Sequence, residues 1–103
     1  MSKMLDSLGM TLAQTIGKEA MVCRGLLRLT IADSAEQLWQ TSDYGQIMSR
    51  TRMMSYQDWK DIIEGPALVQ RLKGIGIQDP TIIVTELKQT LIEQQSLFTM
   101  MAH

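Results

Sequence analysis

The last quarter of the sequence constrains the fold most, because it runs on from Asp79-Pro80 without a further glycine or proline. Aspartate suits the N-cap of a helix, and proline suits the first helical position, where its missing N–H costs nothing. The apolar residues that follow recur at a spacing that puts them on one side of a helix. They are Ile83, Val84, Leu87, Leu91, Phe98 and Met101. This pattern predicts a long amphipathic helix that packs against the rest of the chain.

A second long amphipathic pattern covers residues 3–32. Its apolar stripe consists of Leu5, Leu8, Leu12, Ile16, Cys23, Leu26 and Leu27. Gly9, Gly17 and Gly25 weaken the pattern, since each glycine costs a helix about 1 kcal/mol relative to alanine. Two interpretations stay open at Gly17-Lys18: a true break into two helices, or a small residue that lets another helix approach closely.

Capping signals divide the middle of the chain into shorter helices. Ser34 with Gln37 has the spacing of a capping box, which predicts a new short helix at this point. A further helix is expected over residues 46–53. Ser55, followed by Asp58, is another candidate N-cap, because apolar residues at helical spacing come after it.

The helix that starts near Ser55 is expected to end at Glu64-Gly65-Pro66, with glycine past its end and proline opening the next helix. That next helix is expected to stop at Gly74. Nothing alternates with a period of two over more than four residues, so no strand is predicted. The chain is therefore predicted to be all-α, one domain over residues 1–103. We expect a compact bundle of four to five helices, with long first and last helices packed together.

Composition excludes several classes of function. The net charge of −1 provides no overall attraction to nucleic acid or to an anionic membrane. No run of about 18 apolar residues occurs, so no membrane-spanning helix is predicted. The single cysteine, Cys23, cannot form an internal disulfide, which is typical of a reducing compartment. The expected location is the cytoplasm.

The chain offers little for catalysis. Its only histidine is the final residue, His103, so no histidine-based triad or metal site can be assembled around a fixed ring. Cys23 lies within the apolar stripe, where a buried thiol is inert. Asp58, Asp61 and Glu64 share a helix face, a pattern more typical of a solvated surface than of acid–base chemistry or a metal site. We predict no enzyme activity, no catalytic or metal-binding residues and no cofactor.

Protein–protein contact is the predicted function. The last helix carries apolar residues away from its main stripe as well as within it. The polar Gln94 falls inside the stripe, and two interpretations stay open: a buried amide that fixes the register of an oligomer, or a side chain partly exposed near the end of the helix. The candidate interface is Ile92, Gln94, Phe98, Met100 and Met101. The expected partner is a protein, either a different chain or a second copy in a homodimer.

A nucleic-acid-associated regulator is the alternative. Its candidate patch is formed by Arg24, Arg28, Arg50 and Arg52. In addition, Leu72-Lys73-Gly74-Ile75-Gly76 resembles the turn of helix-hairpin-helix DNA-binding modules, in which backbone N–H groups face a phosphate. The resemblance covers about five residues, and Asp79 would repel the phosphate. A helix end followed by an ordinary turn is therefore favoured.

A small apolar ligand held between methionine-rich helices is a third, weaker hypothesis.

Overall fold

The structure is a computed structural model that describes residues 3–38 and 51–101, with side chains described for residues 3–34 and 51–97. These ranges contain five helices and no strand. The helices are α1 (Lys3–Ile16), α2 (Ala20–Leu38), α3 (Tyr56–Glu64), α4 (Pro66–Gly74) and α5 (Pro80–Met101). The predicted all-α bundle is thereby confirmed.

The break between the first two helices lies at Gly17. Its φ of 71° is in the left-handed region, which glycine adopts without a steric cost and other residues rarely adopt. The Gly17 N–H still donates to the Ala13 carbonyl at 2.9 Å, so α1 closes its last turn before the chain reverses. Of the two interpretations left open at Gly17-Lys18, the true break is the one realised.

The core lies where α1 packs on both α2 and α5. It is built from the stripes predicted for both ends of the chain, with further apolar residues from α3 and α4. Its buried members include Leu5, Leu8, Leu12, Cys23, Leu27, Ile31, Leu87 and Leu91. A hydrogen bond of 2.6 Å between the hydroxyls of Thr11 and Thr90 also joins α1 to α5. The predicted packing of the first and last helices against each other is confirmed.

The α3 helix begins with the predicted cap. The Ser55 hydroxyl accepts a hydrogen bond from the Asp58 N–H at 3.1 Å, and the Asp58 carboxylate accepts one from the Ser55 N–H at 2.9 Å. This reciprocal capping box satisfies two N–H groups that the first turn would otherwise leave unpaired. Gly65 then ends α3 and precedes Pro66 at the start of α4, as predicted.

The capping box predicted at Ser34 and Gln37 is wrong. α2 continues through both positions to Leu38, and the Ser34 hydroxyl donates to the Thr30 carbonyl at 3.0 Å within the same helix. Serine can satisfy itself in this way inside a helix, so the capping pattern alone does not identify a helix start. Of the helix expected over residues 46–53, residues 46–50 lie outside the described residues; Thr51 is helical, and Arg52 and Met53 already form a turn.

None of the helices in the described part of the chain has the length and apolar character needed to cross a membrane.

Candidate functional site

Residues 92–97 of α5 present apolar side chains to solvent. Among the side chains described in this helix, Leu91 is the last one that is buried, and none at residues 92–97 is buried. Ile92 is 48% exposed and Leu97 is 52% exposed, although both are large and apolar. We call residues 92–97 the α5 end. The helix itself continues to Met101.

The exposure of Ile92 and Leu97 follows from the faces that these two residues occupy. A period of 3.6 residues places Ile92 about 100° and Leu97 about 120° around the helix from the buried Leu91. The hydrogen bond between Thr11 and Thr90 keeps α1 beside this part of α5, so the faces turned away from α1 are the ones left open. Short helices outside a packed core are marginal in water, because most helix stability in proteins comes from the burial of an apolar face. The α5 end thus has apolar surface that this chain leaves uncovered.

The predicted interface residues fall in or next to the α5 end. Ile92 is exposed and Gln94 is half-buried, so neither lies in the core of this chain. Phe98, Met100 and Met101 belong to α5, but their side chains lie outside the described residues. Their role in an interface remains a prediction.

A second apolar surface was not predicted from the sequence. It is a groove of about 290 Å³ between α2, the α1–α2 turn and the loop before α5. We call it the α2 groove. Its walls are apolar, and Lys18 lies at its edge. The residues that matter for its shape are Lys18, Val22, Gly25, Leu26, Leu29 and Ile75.

Much of the α2 groove wall is open to solvent. Val22 is 54% exposed, Leu29 is 42% exposed and Ile75 is 41% exposed, whereas Leu26 forms the inner side near the core. Val22, Gly25 and Leu29 follow one another at i, i+3 and i+7 on α2, so they share one helix face. The groove therefore presents a contiguous apolar strip beside an exposed lysine.

Gly25 shapes the α2 groove by lacking a side chain. A Cβ at this position would meet no atom within 4 Å, so nothing packed against it in this chain requires glycine. Gly9 is different, because a Cβ there would come within 2.6 Å of the Arg24 Cγ. Gly9 is thus explained by the close packing of α1 on α2, whereas Gly25 leaves α2 backbone accessible from the groove.

Cys23 does not supply chemistry to the groove. Its side chain is fully buried, and burial raises the pKa of its thiol, an effect that nearby Lys18 only partly offsets. Its Sγ makes a weak contact of 3.9 Å with the Lys18 carbonyl. A buried thiol of raised pKa is a poor nucleophile at neutral pH, so the expectation of a buried, inert cysteine is consistent with its environment.

The carboxylates of α3 cap this helix, accept a hydrogen bond within it, or form an ion pair with α5. Asp58 is half of the capping box, and Asp61 accepts a hydrogen bond from the Gln57 amide at 2.9 Å. Glu64 forms an ion pair of 3.2 Å with Lys88 of α5. These surface contacts match the predicted solvated face.

The proposed arginine patch is only partly in place. Arg24 lies 3.9 Å from the Asp6 carboxylate and packs its stem over Gly9. Arg28 is half-buried on α2 and Arg52 is exposed, while Arg50 lies outside the described residues. At least one of the four cations is therefore already near a carboxylate.

The N–H groups of the helix-hairpin-helix-like turn donate to carbonyls at the end of α4. The N–H groups of Ile75 and Ile77 donate to the Leu72 carbonyl at 3.2 and 3.0 Å, and that of Gly76 donates to the Lys73 carbonyl at 3.0 Å. Since these donors satisfy the end of α4, they are not directed toward a phosphate. The favoured interpretation, a helix end followed by a turn, is the one observed.

No protein-family model, curated protein or solved structure matches this chain.

Proposed function

We propose that this chain is a non-enzymatic assembly or adaptor protein that acts by burying apolar helix surface against another protein. The observation that carries the proposal is the α5 end, which remains helical although its Ile92 and Leu97 are about half exposed and none of its described side chains is buried. Exposed apolar surface of this kind is typical of a protein–protein contact. The expected site of action is the cytoplasm, where the free thiol of Cys23 would stay reduced.

The α2 groove supports the same function. It supplies a second apolar surface, and an adjacent lysine would orient a partner that carries a carboxylate. Several chemistry-bearing residues of the described chain, by contrast, are occupied or buried: Asp58 caps a helix, Asp33 and Glu64 form ion pairs, and Cys23 is buried. Contact through apolar surface is thus the activity that these residues support best.

A comparative pull-down tests the proposal. The immobilised chain is exposed to a lysate of its native host, alongside a variant carrying Ile92→Glu and Leu97→Glu. We expect the unmodified chain to retain a protein, either another copy or a different chain, and the double variant to release it, because charge on the α5 end opposes burial.

Ile82→Glu is the matched control. Ile82 is 60% exposed on the same helix but lies outside the α5 end, so this variant should retain the partner. Absence of any bound protein, or equal binding by the double variant, would contradict the proposal.

A further inference from the structure

We propose that the α5 end of one copy docks into the α2 groove of a second copy, and that the contact is reciprocal. Each copy then contributes one helix end and one groove to a two-fold symmetric dimer. This inference rests on the proposed function and identifies the partner as a second copy of the chain. Symmetric dimers of this kind use the same surface on both partners.

The α2 groove suits a helix better than a small molecule. Sites for small molecules bury about 70–90% of their ligand's surface. The walls of this groove are themselves about half exposed at Val22, Leu29 and Ile75, so they cannot enclose a small ligand to that extent. An apolar helix laid along an open groove is a common mode of recognition. Gly25 permits the close approach that such packing needs, because no side chain stands between the partner and the α2 backbone.

The two apolar side chains of the α5 end suit such a groove. Ile92 and Leu97 are five residues apart, which places them on different sides of the helix, and the four residues between them are polar. Insertion between groove walls can cover both apolar side chains at once, whereas a flat contact covers only one side of the helix.

A copy cannot place its α5 end in its own groove. Ile75 forms one edge of the groove and lies five residues before Pro80, where α5 begins. From Pro80 to Ile92 a helix advances about 18 Å, and to Leu97 about 26 Å. The straight helix therefore carries its end away from the groove, and the occupant has to come from another copy.

The charges of the two surfaces are complementary. Lys18 is exposed at the edge of the groove, and the described part of the chain supplies no carboxylate partner for it. Glu93 lies between Ile92 and Leu97 on the α5 end and is exposed; its described contact is a hydrogen bond of 3.2 Å from the Gln89 amide. Docking of the α5 end brings this carboxylate toward the lysine and fixes the direction of the helix in the groove.

Reciprocity doubles the area that the contact buries. Stable interfaces bury about 800 Å² on each partner, which is roughly an eighth of the 6502 Å² of accessible surface of this chain. Two symmetric contacts bury twice the area of one, and each copy is then covered at both of its open apolar surfaces.

Sedimentation equilibrium of the purified chain tests the dimer. We expect a mass of twice 11.7 kDa, and a mass of 11.7 kDa for the Leu29→Glu and Leu97→Glu variants, each of which places a charge in both contacts. Each substitution should weaken dimerisation at least about tenfold, since burial of an unpaired charge is costly. Ile82→Glu should remain dimeric. Thermal unfolding of each variant checks that the fold is intact.

Mixing the two monomeric variants tests reciprocity. A Leu29→Glu copy retains an intact α5 end, and a Leu97→Glu copy retains an intact groove, so an equimolar mixture should recover one of the two contacts and form heterodimers. A dimer built from α2 against α2, or from α5 against α5, shows no such recovery.

Reversing both charges gives a third readout. Lys18→Glu and Glu93→Lys should each weaken the dimer a fewfold, and their combination in one chain should restore it.

A mass of 11.7 kDa at all concentrations, or a mixture that stays monomeric, would overturn this inference. If the pull-down nevertheless retains a different protein through the α5 end, the proposed function stands while the second copy is rejected as partner.

Discussion

At the scale of single residues, two glycines on facing helices have opposite physical roles. Gly9 is required by this chain, because a Cβ there would come within 2.6 Å of the Arg24 Cγ. Gly25 meets nothing within 4 Å and yet occupies the interior of α2, where glycine is unfavourable. We assign Gly25 to the contact between copies. A substitution at Gly25 should therefore weaken dimerisation without lowering the stability of the monomer.

We expect Gly25→Ala to raise the free energy of unfolding of the monomer by up to about 1 kcal/mol, because alanine is the better helix former. The same substitution should weaken dimerisation, since a methyl group enters the α2 groove.

Gly9→Ala should lower the free energy of unfolding, because overpacking costs about 1–3 kcal/mol and outweighs the gain in helix propensity. Urea unfolding at low protein concentration measures the stability of both variants. Sedimentation equilibrium measures the dimerisation of the Gly25→Ala variant. A Gly25→Ala variant that is destabilised, or that dimerises as well as the unmodified chain, contradicts the assignment.

At the scale of helices, the N-terminal signals of α3, α4 and α5 were predictable from the sequence. Asp79 and the pair Ser55 with Asp58 act through local backbone N–H groups, and the prolines at the first helical positions act through their fixed backbone angle, so local sequence determines all three starts. The Asp79 carboxylate indeed accepts a hydrogen bond from the Thr81 N–H at 3.2 Å. Ser34 shows the limit of this reasoning, because its hydroxyl has a second, intrahelical acceptor that the capping pattern does not reveal.

The α2 groove could not be predicted from periodicity. Val22 and Leu29 lie off the buried stripe of α2, and Ile75 comes from a loop about fifty residues later in the sequence. Only the packing of α1, α2 and the loop before α5 brings them together. The available local signal was Gly25 with apolar residues three positions before it and four positions after it. The same spacing can equally mark contact within one chain.

An ion pair holds α4 against α2 and thereby supports the loop that carries Ile75. The Arg71 guanidinium donates two hydrogen bonds to the Asp33 carboxylate, at 2.6 and 2.9 Å. This hydrogen bonding, together with the attraction between the charges, keeps the pKa of Asp33 below its usual value. The geometry is bidentate, which favours a fixed orientation of the two helices.

We expect this ion pair to make stability depend on pH in the acid range. Because the folded pKa of Asp33 is lowered, its contribution is present above the unfolded value of about 3.9 and is lost as pH falls through the folded value. Both side chains are more than a third exposed, so solvent screening limits the contribution to below about 1 kcal/mol. Urea unfolding between pH 2 and 7 should show a shallower acid decline for Asp33→Asn. An unchanged pH profile for this variant would show that the ion pair does not contribute.

At the scale of the whole molecule, the chain has more apolar surface than one core can cover. The α5 end carries the exposed Ile92 and Leu97, and α2 is left with a strip of apolar residues beside an open groove. The two surfaces lie at different ends of α5, so they cannot cover each other within one copy. Burial between copies is the arrangement that covers both.

The charge distribution of the molecule is consistent with this account. A net charge of −1 provides little long-range attraction to nucleic acid, and Arg24 and Arg71 each lie near a carboxylate. The charges at the proposed contact, Lys18 and Glu93, are instead opposite in sign on two separate surfaces. Such pairs are better suited to setting the orientation of a partner than to providing affinity.

Cross-linking between differently substituted copies tests the central claim most directly. A Leu29→Cys copy is mixed with a Leu97→Cys copy that carries a mass tag, and a short bis-maleimide is added. The native Cys23 is fully buried, so the unsubstituted chain serves as the control for its reactivity. The account predicts abundant cross-links between the two substituted copies and few when Ile82→Cys replaces Leu97→Cys. Equal cross-linking in the two mixtures, or none in either, would contradict it.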